Sequence, residues 1–98
     1  MNIDDWRNQI DEIDAQLLQL LNRRSACAIE IGQLKHQMNL DIFSLEREEE
    51  VIARALEQNQ GPLDEDAVRR LFRAILEESR RLQARAAERV SANDDPHR

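Results

Sequence analysis

Five polar residues stand at positions where the apolar pattern of this chain predicts a helix interior. They comprise two cations, one carboxylate and two neutral hydrogen-bonding groups: Arg24, Lys35, Glu48, Ser79 and Gln83. A guanidinium keeps its proton, and burying one unpaired is costly, so Arg24 requires an anionic partner. Burying all five without a ligand would leave many hydrogen-bond donors unsatisfied. The combination predicts a site for a small anion inside a helical bundle.

The two cations belong to a long first helix. Arg24 interrupts an apolar seam that runs from Trp6 to Met38 in alternating steps of three and four residues, which is a heptad spacing. Lys35 follows on nearly the same face, about 16 Å further along the helix axis. Two long side chains that lean toward each other across this gap can hold opposite ends of one small anion.

The other three residues fall on two later helices. Glu48 follows Leu45 by three residues and precedes Ile52 by four, so it faces inward with them. Ser79 and Gln83 form an i, i+4 pair that continues the apolar stripe of the third helix. Five polar groups from three helices are therefore expected to converge.

Each of these residues also has a purely structural interpretation. Arg24 and Glu48 could form a buried ion pair, and Lys35 could extend to solvent at the helix C-terminus, where a cation is favourable. Ser79 could simply fill space, and Gln83 could meet solvent. For any one residue taken alone, the sequence leaves both interpretations open.

Arg7 bears on how the site is assembled. It precedes Arg24 by seventeen residues, which is about 25 Å along a helix and roughly 100° around it, so the two cannot hold one small molecule within a chain. In an antiparallel pair of first helices, Arg7 of one chain approaches Arg24 of the other. Such a shared site would occur twice at a twofold interface.

The apolar spacing predicts an all-α fold of three helices, at about residues 4–39, 45–59 and 64–88. A first helix of about 35 residues is about 52 Å long, whereas a compact domain of this size has a radius of gyration near 13 Å. The helix must therefore project beyond its own subunit, with its seam exposed. We infer an intertwined homodimer in which two copies of this helix pack along each other. Gly32 allows close packing of another helix.

The ends of these elements also have sequence signals. Asp4 or Asp5 is expected to cap the first helix and Ser44 the second. We expect residues 1–90 to form one helical domain and residues 91–98 a mobile polar tail.

Composition excludes several classes of function. The chain has 98 residues and a net charge of −6, which disfavours nucleic acid and anionic membranes as partners. No apolar run is long enough to span a membrane, and the acidic start differs from a signal peptide. A single cysteine, Cys27, excludes an internal disulfide and fits a reducing cytoplasm. No metal-ligand spacing or Gly-rich phosphate loop is present, so neither metal nor cofactor is expected.

Several short segments within residues 3–86 stand in a specific order and spacing: Trp6–Asp14, Leu17–Arg24, Ile31–Lys35, Glu46–Glu48, Leu71–Phe72, Glu77–Ser79 and Gln83. Together they resemble the all-helical chorismate mutases. The family consists of intertwined dimers of three-helix chains whose first helices span both subunits. The resemblance implies conversion of chorismate to prephenate, the branch step toward phenylalanine and tyrosine.

The resemblance also implies roles for the arginines. The substrate is a small dicarboxylate with an ether oxygen and a ring hydroxyl. Carried over by position, Arg24 and Arg7 of the partner subunit bind the two carboxylates, and Ser79 assists at the ring carboxylate.

The remaining site residues follow in the same way. Lys35 and Gln83 donate to the ether oxygen, while Glu48 accepts from the ring hydroxyl and Arg47 lies beside it. Ser44 stands where the family often has aspartate, so its expected contribution is its backbone N–H. The reaction is a one-step pericyclic shift, which needs no nucleophile, metal or proton transfer.

Three other functions stay open at this point. The first is an isochorismate-pyruvate lyase on the same fold, against which Glu48 counts, because those lyases lack a matching carboxylate. The second is a non-catalytic regulatory or dimerisation module of an aromatic-pathway enzyme. The third is a plain coiled-coil interaction protein, which the inward polar residues disfavour.

Overall fold

The computed structural model describes residues 1–93 and contains three helices in that range: α1 (Ile3–Gln37), α2 (Leu45–Gln58) and α3 (Glu65–Asn93). The all-α prediction is confirmed. The molecule measures 63 × 28 × 15 Å, and its radius of gyration is 17.5 Å. A compact chain of this length would have a radius of gyration of about 13 Å, so the chain is strongly elongated, as the length of α1 requires.

α1 begins earlier than predicted. Its N-cap is Asn2, not Asp4 or Asp5. The Asn2 side chain accepts from the backbone N–H of Asp5 at 2.9 Å, and the Asp5 carboxylate accepts from the Asn2 N–H at 3.1 Å. This reciprocal capping box satisfies two backbone donors at once, which explains the choice of Asn2. The helix ends at Gln37, and Asn39 has a left-handed φ of 56°.

Ser44 caps α2 as predicted, because its hydroxyl accepts from the backbone N–H of Arg47 at 3.2 Å. α3, in contrast, continues to Asn93 instead of ending near residue 88. Ala86 is still buried, and the good helix formers after it include no proline or glycine before Asn93. The predicted tail, 91–98, thus begins inside α3, and residues 94–98 lie outside the described residues.

α3 packs against both other helices. Within the described residues, no Cα atom of α1 lies within 8 Å of one in α2. Among the described residues, all of the buried ones lie on α1 and α3, and they are few and small or medium in size: Ala28, Gly32, Val68, Leu76, Ser79 and Ala86. α3 is therefore the common wall on which the other two helices are positioned.

α1 and α3 cross in backbone contact at Gly32. A Cβ atom built there would lie 2.5 Å from the carbonyl oxygen of Gln83 and 2.6 Å from its Cα. Any larger residue would force the two helices apart, so the expectation of close packing at Gly32 is confirmed.

Among the described residues, no element covers the first half of α1. Every residue from 1 to 20 is exposed, and the seam side chains Trp6, Ile10 and Ile13 are 55%, 54% and 59% exposed.

None of the described helices combines the length and apolarity that crossing a bilayer requires.

Candidate active site

A cavity of about 440 Å³ lies between α1, α2 and α3, within the range of small-molecule sites. Most of the predicted site residues line it: Arg24, Lys35, Ser44, Arg47, Glu48, Ser79 and Gln83. Side chains such as Ala28, Ile31 and Leu76 supply apolar walls. The structure thus brings together residues that are up to 59 positions apart in the sequence.

The cavity is cationic although the chain is acidic. Arg24, Lys35 and Arg47 face it with one carboxylate, Glu48, which gives two net positive charges. The whole chain carries −6. A concave cationic site of this kind attracts a small dianion and repels cations.

Ser79 fixes the guanidinium of Arg24. Arg24 Nη1 donates to Ser79 Oγ, and that hydroxyl donates to the carbonyl oxygen of Ile75 at 3.1 Å. Since the Ser79 proton is used on Ile75, its oxygen is oriented to accept from Arg24. The Arg24–Glu48 ion pair considered above does not form, and among the described residues Arg24 has no carboxylate partner. Its other N–H groups are available to an anion.

Lys35 and Gln83 bring two kinds of donor together. Lys35 Nζ donates to Gln83 Oε1 at 3.0 Å and to the carbonyl oxygen of Ile42 at 2.7 Å. An ammonium can only donate, so it holds the amide with Oε1 toward Lys35 and leaves Nε2 as a donor. The ammonium retains a third N–H as well. The crossing at Gly32 sets the spacing of this pair, because Gly32 lies directly on the Gln83 backbone.

Glu48 has a partner that the sequence did not indicate. Its carboxylate, 19% exposed, accepts from Arg80 Nη1 at 3.3 Å, and the Arg80 guanidinium lies 5.4 Å from the centre of the Phe43 ring. Arg80 was missed because it falls one residue beyond Ser79, off the predicted stripe. The signal by which Arg80 could have been found is its position four residues after the buried Leu76.

Ser44 and Arg47 lie at the cavity but are engaged locally. The Ser44 hydroxyl is occupied in capping α2. Arg47 Nη1 donates to Glu50 at 2.7 Å, and both side chains are more than half exposed. The guanidinium of Arg47 is thus held at the rim of the cavity.

Arg7 is the one predicted site residue that does not line this cavity. Its side chain is 72% exposed, with Nη1 4.0 Å from Asp4. The seventeen-residue separation from Arg24 accounts for this position, because both residues lie on the same straight helix.

The fold and the site together define a class of protein. It is a helical domain with a cationic cavity for a small molecule between its three helices. The model of the family described as "Chorismate mutase type II" matches residues 6–84. The chain belongs to this family.

Individual relatives agree with this assignment. The chorismate mutase of Methanocaldococcus jannaschii is 30% identical over 78 residues, which cover 79% of each protein. A structure of chorismate mutase (Form II) from Thermus thermophilus superposes with a TM-score of 0.83 at 32% identity, covering 85% of this chain and 94% of that one.

The bifunctional relatives are much longer than the part that matches. The bifunctional chorismate mutase/prephenate dehydratase of Neisseria gonorrhoeae is 44% identical over 72 residues, which make up 74% of this chain and 19% of that protein. The chain therefore corresponds to about one fifth of the length of such relatives.

Proposed function

We propose that this chain converts chorismate to prephenate, with the cavity between its helices as the active site. The observation that carries the proposal is the cavity with two net positive charges in a chain of net charge −6. Chorismate is a dicarboxylate and matches this charge. Membership of the chorismate mutase type II family supports the same substrate.

The carboxylates are bound by arginines. Arg24, held by Ser79, binds one carboxylate, and Arg7 of the partner subunit completes the clamp. Fixing both carboxylates selects the compact conformer in which the bond-forming carbons meet, and orientation of this kind can remove several kcal/mol, up to about 7–11, from a barrier.

The breaking C–O bond is stabilised at the other end of the cavity. Negative charge grows on the ether oxygen during the shift, and the free N–H groups of Lys35 and Gln83 donate to it. Fixed donors in a low-dielectric site act mainly on the transition state, and the loss of one costs about 10²–10³ in rate. Glu48 accepts from the ring hydroxyl, with Arg47 beside it and the backbone N–H of Ser44 within the same wall. No group needs to transfer a proton.

The exposed seam of α1 supports a homodimer. The apolar side chains of this seam face solvent in a single subunit, and a second α1 packed antiparallel would cover them. The same packing carries Arg7 to the partner's cavity, which makes the dimer necessary for the site and not only for stability. The exposed free thiol of Cys27 is suited to a reducing compartment, and we assign the chain to the cytoplasm.

Incubation with chorismate tests the proposal. The ultraviolet absorbance of chorismate is followed, and the product is identified by NMR. Loss of chorismate with formation of prephenate is expected. Arg81→Ala is a matched control for site variants, because Arg81 pairs with Glu78 and neither residue lines the cavity. The absence of turnover would favour a non-catalytic module, and pyruvate release from isochorismate without mutase activity would favour the lyase.

A further inference from the structure

Glu48 is held at the cavity by a single polar contact. Within the described residues, two side-chain hydrogen bonds join α1 to α3, namely Arg24–Ser79 and Lys35–Gln83. Only one joins α2 to α3, and it runs from Arg80 to Glu48. The placement of the one cavity carboxylate therefore depends on Arg80.

Arg80 reaches Glu48 from outside the cavity. It is not among the residues that line the cavity, and its side chain is 38% exposed. Its guanidinium also lies over the Phe43 ring, and Phe43 directly precedes the N-cap of α2. Arg80 thus contacts the segment that leads into α2 and the first turn of α2 itself. The planar, always charged guanidinium is suited to such a double contact.

We infer that Arg80 is a positioning residue that keeps the Glu48 carboxylate on the cavity wall and away from the substrate-binding cations. Arg80 occupies Glu48 Oε1, which leaves Oε2 to accept from a ligand. This role rests on the proposed function, because it assigns Glu48 to the substrate hydroxyl.

The charge of the cavity explains why such a residue is needed. Glu48 shares the cavity with the cations Arg24, Lys35 and Arg47. Freed from Arg80, its carboxylate would turn toward one of them and compete with a carboxylate of the substrate. Loss of Arg80 should therefore raise KM for chorismate and lower kcat/KM. Both changes should result from the displaced carboxylate of Glu48.

A double-mutant cycle separates this role from a structural one. The variants are Arg80→Met, Glu48→Gln and the double variant, each assayed with chorismate. Residues in direct contact are strongly coupled, so Arg80→Met should lower kcat/KM about tenfold in the wild-type background and less than about twofold in the Glu48→Gln background. Arg80→Lys, which keeps the charge but not the planar fork, should recover part of the loss.

Arg81→Met is the matched control, because Arg81 is the neighbouring arginine, is 61% exposed and pairs with Glu78. It should leave kcat/KM unchanged. Thermal unfolding of every variant reports on the fold independently of activity.

Equal losses of kcat/KM in both backgrounds would overturn the positioning role, since Arg80 would then act without Glu48. Unchanged kinetics in Arg80→Met would overturn it as well. A wild-type chain that fails to convert chorismate would instead refute the proposed function and the inference with it, so the two failures are distinguishable.

Discussion

Replacing Gly32 with alanine tests whether the close crossing of α1 and α3 sets the geometry of the donor pair Lys35–Gln83. The new Cβ atom would lie 2.5 Å from the Gln83 carbonyl oxygen and 2.6 Å from its Cα. Non-bonded carbon atoms prefer about 3.5–4.0 Å, so the helices must separate by about 1 Å. The Lys35–Gln83 hydrogen bond, now 3.0 Å, would then exceed the length at which it holds.

Two opposing terms determine the change in stability. Overpacking at a backbone contact costs about 1–3 kcal/mol, and alanine gains about 1 kcal/mol over glycine in a helix. The free energy of unfolding should therefore fall by about 0–2 kcal/mol. Because a misplacement of about 1 Å can reduce a rate about 10²-fold, kcat for chorismate should fall by about that factor.

Urea unfolding and steady-state kinetics measure both effects. Ala26→Gly is the matched control, because Ala26 is an exposed residue of the same helix and reports the propensity difference alone. That control should lower stability by about 1 kcal/mol and leave kcat unchanged. A Gly32→Ala protein that is more stable than wild type and fully active would refute the link between the crossing and the donor spacing.

Substitutions at three further positions test individual roles. Lys35→Ala should lower kcat at least about 10²-fold while sedimentation still shows a dimer, and dissociation of the dimer would contradict a catalytic role. Gln83→Glu should make activity rise as pH falls, because only the protonated carboxyl can donate to the ether oxygen; a pH-independent rate would contradict this. Ser44→Ala should lower the unfolding free energy by about 1 kcal/mol through loss of the cap, with kcat within about twofold, and Ser44→Asp should restore stability. A large loss of kcat in Ser44→Ala would assign the hydroxyl a role in the site.

Much of the fold follows from local signals. The heptad seam and the stop near Asn39 predict α1, and Ser44 marks the start of α2. The predictions are wrong at the ends of helices, where several residues could serve as the cap. Asn2 is preferred over the acidic residues after it because it forms a reciprocal capping box with Asp5. α3 passes residue 88 because no proline or glycine stands between Ala86 and Asn93.

The cavity residues are partly predictable for a different reason. A polar residue on an apolar stripe is conspicuous in a sequence, which is how Arg24, Glu48 and Gln83 are found. Arg80 lies just off the apolar stripe of α3, and its pairing depends on the angle between α2 and α3, which no local pattern encodes. The catalytic roles and the dimer stay predictions.

Mixed dimers of Arg7→Ala and Arg24→Ala chains test the central claim, a chorismate-converting site completed across two subunits. Each variant alone should be inactive, because every site lacks one carboxylate-binding arginine. After joint unfolding and refolding in equal amounts, half of the dimers are mixed and each has one intact site, so about one quarter of wild-type activity should return. No recovery, despite mixed dimers detected by mass, would contradict the shared site.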